Sequence, residues 1–319
     1  MSLEQEEETQ HGLLLGCSDA VPAFIEPNVR FWITVRQSFI RRFLQWTELL
    51  DPTNVFISVE SIENSRQLLC TNEDASNPAS GDQRIQEAWK RSLATVHPDS
   101  SNLIPKLFRP AAFLPFMAPT VFLYTYMTVF NSINGNRSYT CKPLERSLLM
   151  AGTVASSTFL GVVPHFIQMK YGLANPWIKR LLPVVFLVQA SGMNVYMSRN
   201  IESIKGIAVM DKEGNILGHS IIAGTKAVRE TAASRAVLFG TSALIPEIFT
   251  YFFKRTQFFL RNPGSLWILK LSCTFLTMAL MVPVSFSIFP QIGQIQCRSH
   301  EEKIQPSTEE TEIFYHRGV

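Results

Sequence analysis

Apolar residues gather in five long runs in the second part of this chain, and polar residues fill the rest. The runs are Ala111 to Phe130, Leu148 to Met169, Leu181 to Met197, Ala236 to Phe253 and Leu266 to Phe289. A helix crossing about 30 Å of hydrocarbon needs roughly 20 mostly apolar residues. Three runs meet that length, and the third and fourth lie near its lower limit. The pattern predicts an all-α membrane protein of about five spans over 111–290. It is preceded by a polar N-terminus (1–28, without apolar periodicity) and a helical segment outside the bundle (29–110), and followed by a polar tail (291–319).

Helical spacing marks three elements before the bundle. Phe31, Val35, Phe39, Phe43 and Trp46 recur on one face up to Asp51-Pro52, with Arg36, Arg41 and Arg42 mostly on other faces. Such an amphipathic helix either lies on a membrane surface or packs against the rest of its segment; its moment alone does not decide. Val59 to Leu69 is a second short helix. Asp82 to Thr95 is a third, with Asp82 positioned to cap it. Between spans three and four, Ile207, Val209, Ile216 and Leu217 flank Asp211-Lys212-Glu213-Gly214-Asn215. Gly214 allows positive φ, so a small β-hairpin is expected there. A calcium loop is excluded, because its alternate oxygen ligands and terminal Glu are missing.

Charge and chemistry narrow the function. The net charge of +3 and pI of about 8.6 are too mild, and too evenly spread, for a nucleic-acid partner. The five cysteines are far apart and without CxxC, so neither a disulfide framework nor a zinc site is expected. Signatures of phosphate-binding loops, serine hydrolases and zinc proteases are absent, so no catalytic residue, metal or cofactor is assigned. The acidic start MSLEQEEETQ has neither a secretory signal nor an Arg-rich presequence, which places any address within the spans. Asn136-Arg137-Ser138 is formally a glycosylation sequon. Lys and Arg are spread over both sets of loops, so orientation is not set.

Polar side chains inside apolar runs are expensive in hydrocarbon and mark paths or packing seams. In the third span these are Gln189, Ser191 and Asn194, with Gly192 beside them and Arg199 at the mouth. Together with Glu247 of the fourth span they form a candidate substrate pathway; the alternative is a set of interhelical hydrogen bonds. Glu247 follows Pro246 in the fourth span. Its depth matches that of Lys270 in the fifth, so an ion pair is expected if the two spans are antiparallel neighbours; a helix break at Pro246 is the alternative. His165, beside Pro164, is expected in a buried helix contact. His97-Pro98-Asp99-Ser100 reads as a turn before the bundle, with Asp99 or Ser100 as cap.

A series of short motifs, taken in order, carries a family resemblance. They are Phe39-Ile40 with Arg42, Asp51-Pro52-Thr53-Asn54, His97-Pro98-Asp99-Ser100 and Phe130-Asn131. Then follow Gly206-Ile207 with Asp211 and Gly214-Asn215, Ser234-Arg235, Phe289-Pro290-Gln291 and Arg317-Gly318-Val319. From about Phe31 to the end the chain resembles the sideroflexins, multi-spanning proteins of the mitochondrial inner membrane. The resemblance implies a carrier-type fold. Several members are similar to serine transporters; one branch is linked instead to assembly of respiratory complex I and to iron and iron–sulfur homeostasis. Implied partners are the lipid bilayer, complex I subunits or assembly factors, and a small amino acid.

Three departures from the family pattern stand out, and the altered third span weighs against serine transport in particular. The family's HPDTGE-type motif is cut to His97-Pro98-Asp99-Ser100-Ser101-Asn102. In the third span Ser191 replaces an Asn and Tyr196 replaces a Pro, while Asn194, Met197 and Arg199 keep their places. Between Phe122-Leu123 and Tyr124-Thr125-Tyr126 roughly one span's worth of family sequence is missing.

Overall fold

The computed structural model describes residues 28, 31, 38–71, 82–98, 101–112, 120–136, 143–171, 175–262, 264–296 and 312–318. Four of the expected runs form long helices: α5 (Pro143–Tyr171), α6 (Pro176–Ser198), α8 (Ile221–Phe253) and α10 (Ser265–Ser287). All four are long and apolar enough to cross a membrane. The first run is different. Its helix, α4 (Thr120–Asn134), has 15 residues and rises only about 22 Å at 1.5 Å per residue, short of the hydrocarbon thickness. Residues 113–119 of that run lie outside the described residues.

The helices before the bundle are α1 (Phe39–Leu49), α2 (Val59–Thr71) and α3 (Gln83–Thr95). Asp82 caps α3 as its sequence position predicts, accepting from the Arg84 amide at 2.9 Å. Asp51 accepts from the amide and hydroxyl of Thr53, which hold its carboxyl below the usual range. Asp51 thereby caps the 3-10 turn Pro52–Val55. Arg109 is buried and knots this segment by donating to the carbonyls of Asn54, Val55 and Ile57.

Helix α1 is a packed helix, the second of its two readings, though its partner is the bundle. Its inner face packs on the end of α10: Trp46 meets the Phe286 ring at 4.9 Å, and Arg42 donates to the Ser287 and Ile288 carbonyls. Ile40 and Leu44 remain exposed on the other face. The N-terminal segment, α4, α6, α8 and α10 share one apolar core that includes Trp46, Leu49, Tyr124, Phe130, Leu238 and Phe286.

After α6 the short helix α7 (Asn200–Lys205) leads into β1 (Ile207–Met210) and β2 (Ile216–Ser220). The expected hairpin is present, with Gly214 at φ +88° in its turn. It belongs to a larger sheet than the sequence indicates. Strands β3 (Ile292–Gln296) and β4 (Glu312–His316) join it in the antiparallel order β2-β1-β4-β3. Part of the tail is therefore core: Ile313 and Tyr315 pack with Ile207, Val209, Ala223 and Ala227. Sheet, α7 and the α1 contact lie at one end of the bundle. Among the described residues, the opposite end has short connections and α9 (Gln257–Arg261).

Four spans carry an internal proline, Pro164, Pro183, Pro246 and Pro283. Helix α8 runs through Pro246 without the break that the sequence allowed. The carbonyl freed by the missing Pro246 N–H is that of Ser242; one turn further on, the Thr250 hydroxyl donates to the Pro246 carbonyl at 2.7 Å.

Candidate functional site

Helices α4, α5 and α6 meet along a polar seam centred on Asn194, which is fully buried. Its amide nitrogen donates to the Thr128 hydroxyl at 2.8 Å and the Ser157 hydroxyl at 3.2 Å. Its carbonyl oxygen accepts from the Asn131 amide at 3.1 Å. Both donor hydrogens and the acceptor of Asn194 are thus engaged by protein. Thr128 and Asn131 sit three apart on α4, on one face, which the i,i+3 spacing dictates. Ser191 is buried but turns its hydroxyl onto its own helix, at the Val188 carbonyl. Gln189 does not join the group. It is exposed on the outer surface of α6, since two residues along a helix turn through about 200°.

Arg199 lies deeper than a mouth residue. It is 1% exposed and pairs with Glu202, which is 0% exposed. Nε and Nη2 donate to Oε1 and Oε2 at 2.7 Å each, a bidentate arrangement. Nη1 reaches the Thr231 hydroxyl, and Nη2 also reaches the Arg317 carbonyl at 2.6 Å. The Asn136 backbone and side-chain amides complete the Glu202 acceptors. Asn136 further donates to the His316 carbonyl, and His316 contacts Gln291 and Asn136 through its ring nitrogens. The sequon asparagine is therefore buried and committed, while Arg137 and Ser138 lie outside the described residues. Two glycines permit this close assembly. A Cβ on Gly224 would fall 2.1 Å from the Glu202 carbonyl oxygen; one on Gly318, at φ +75°, would fall 2.7 Å from Arg199 Nη2.

Two further guanidiniums are buried beside this hub. Arg235 stacks over Phe286 at 4.5 Å and donates to the Ser285 hydroxyl. Arg317 donates to the Phe286 carbonyl, and burial pulls its pKa down to about 10. Glu230 sits near, accepting from the Tyr315 hydroxyl at 3.3 Å. Three buried arginines thus face two carboxylates, Glu202 and Glu230.

His97 is buried in its expected turn, closed by bonds to Ser101 and Asn102, and its Nε2 lies 2.8 Å from the Gly135 carbonyl. Pro98 shares that turn, and Asp99 and Ser100 lie outside the described residues. Glu247 and Lys270 form an ion pair between α8 and α10, partly exposed on the bundle's flank. His165 departs from its expected buried contact and is exposed on α5. Among the described residues no three His, Cys, Asp or Glu side chains gather to hold a metal ion.

The sequence reading missed Thr128, Ser157, Glu202 and the roles of Asn131 and Asn136. Only Glu202 carried a local signal, its i,i+3 spacing from Arg199.

The family model for the sideroflexins matches residues 32–126 and 117–319. The chain is 83% identical to human Sideroflexin-4, with all of both chains covered. It is 62% identical to bovine Sideroflexin-4 over 92% of this chain and all of the relative, and 28% identical to human Sideroflexin-5 over 95% and 94%. The human alignment runs to 337 positions against 319 residues here, so 18 positions have no residue in this chain. The two family matches meet at 117–126, where the sequence reading placed its missing segment. No solved structure matches the chain.

Proposed function

Because the chain belongs to the sideroflexin family, we propose that it serves in the mitochondrial inner membrane as an accessory protein for assembly of respiratory complex I, with an associated part in iron and iron–sulfur homeostasis. It does so on a carrier-type fold that no longer moves serine. The carrying observation is the closed seam. Every polar group of Asn194 is spent on Thr128, Ser157 and Asn131, so a substrate entering there must break bonds that leave buried groups unsatisfied, at about 1–3 kcal/mol each. Assembly needs only surfaces outside the bundle, which α1–α3 and the four-stranded sheet supply.

One observation favours the second reading, an amino-acid carrier. The excess of buried guanidiniums at Arg199, Arg235 and Arg317 over Glu202 and Glu230 suits an incoming carboxylate. In that reading Gln189, Ser191 and Asn194 would form the pathway and β4 would have to withdraw, because the Arg317 carbonyl already occupies Arg199. The two readings separate in mitochondria lacking every other sideroflexin. Restored complex I activity with background serine uptake supports assembly. Serine uptake that rises with expression of this protein overturns the proposal.

A further inference from the structure

The end of the bundle away from the sheet has a one-sided charge. Residues 146–201 contain no Asp or Glu, and residues 231–296 contain only Glu247, which Lys270 takes. Lys170, Lys179, Arg180, Lys254, Arg255 and Arg261 all cluster where α5 ends, α6 begins and α8 passes into α9. Tyr251 is the centre. Arg180 and Arg255 lie over its ring at 5.2 and 5.3 Å, and Trp177 packs on it with centroids 4.7 Å apart. Two guanidiniums held against one small ring repel each other unless an anion sits between them. Tyr251 offers Arg255 only its hydroxyl, at 3.3 Å. Nη1 of Arg180 is shielded from solvent and has no hydrogen-bond acceptor among the described residues. A shielded guanidinium nitrogen without an acceptor is costly and calls for one.

The surroundings say what kind of anion. Phe252, Phe258, Leu260, Trp267 and Ile268 are exposed around the basic cluster. Aromatic side chains with basic residues at the end of spanning helices form the headgroup-level belt of membrane proteins. Acyl chains cover such apolar side chains, and Arg pairs with phosphate bidentately. We infer that Arg180 and Arg255, framed by Trp177 and Tyr251, bind the phosphates of an anionic phospholipid, with doubly charged headgroups preferred. The site rests on the spanning helices alone and not on either proposed function.

Thermal unfolding of the purified full chain in neutral detergent tests this, with cardiolipin, phosphatidylglycerol, phosphatidylcholine or inorganic phosphate added. Cardiolipin should raise the midpoint by several degrees, phosphatidylglycerol less, and phosphatidylcholine or free phosphate not at all. Arg180→Gln with Arg255→Gln should remove at least half of the cardiolipin shift, whereas Lys212→Gln in the β1–β2 turn should leave it whole. If the first variant fails to fold, Lys254→Gln with Arg261→Gln, both exposed, should lower the shift without changing the lipid-free midpoint. An equal shift with phosphatidylcholine or with phosphate alone, or an undiminished cardiolipin shift in both double variants, would overturn the assignment.

Discussion

Replacing Glu202 by Gln tests the buried hub with little change of shape. The carboxylate takes four donors: Arg199 Nε and Nη2 at 2.7 Å each, the Asn136 amide at 3.2 Å and Asn136 Nδ2 at 2.9 Å. The substitution removes the charge and turns an NH2 group toward at least one of these donors. Arg199, 1% exposed, is then a buried cation without its counter-ion. Breaking one side of such a pair costs about 3–5 kcal/mol. At 1.4 kcal/mol per tenfold, that is about a thousandfold in the unfolding equilibrium. Tryptophan fluorescence during equilibrium unfolding in mixed micelles measures it. Apolar replacement of both partners, Arg199→Met with Glu202→Leu, should recover more than half of the loss, since it removes the stranded charge. A loss below about 1 kcal/mol for Glu202→Gln, or a double variant less stable than the single, would refute the reasoning.

Other outcomes follow from the same contacts. Asn194→Ala should cost about 1–3 kcal/mol by stranding Thr128, Asn131 and Ser157, while Ser191→Ala and Gln189→Leu should stay within about 0.5 kcal/mol; equal losses at Asn194 and Gln189 would contradict the seam. Glu247→Gln and Lys270→Gln should each destabilise, and the double variant should recover part of the loss with a coupling of at least about 0.5 kcal/mol in a double-mutant cycle; strict additivity would reject a working pair. Gly318→Ala should cost about 1–3 kcal/mol through positive φ and the Arg199 approach, read as faster protease cleavage near the C-terminus; an unchanged cleavage rate would contradict the docking of β4.

The legible parts of this chain are those encoded locally. Apolar runs gave the long spans, Asp82 gave a helix start, and Gly214 among alternating residues gave a hairpin. The Glu247–Lys270 pair was readable because a short connection fixes the depths of two antiparallel helices. Direction around a spanning helix was not readable. One side of α6 faces lipid and the other faces protein, both surfaces are apolar, and so no period separates Gln189 from Asn194. The same ambiguity misplaced His165. The hub was hidden for another reason: Asn136 and Glu202 are 66 residues apart, and Arg199 and Arg317 are 118 apart. Only the tertiary fold brings them together, and β4 joins the sheet from a tail whose composition is mostly polar.

The central claim is that the Asn194 seam is a closed packing contact and not a substrate path. Ser157→Cys, in a chain whose five native cysteines are serine, reports on it directly through labelling by a small membrane-impermeant methanethiosulfonate in native membranes. The account predicts no labelling at Ser157→Cys, with or without serine, beside full labelling at a Lys212→Cys control on whichever side the reagent is supplied. Labelling at Ser157→Cys that added serine slows would contradict it.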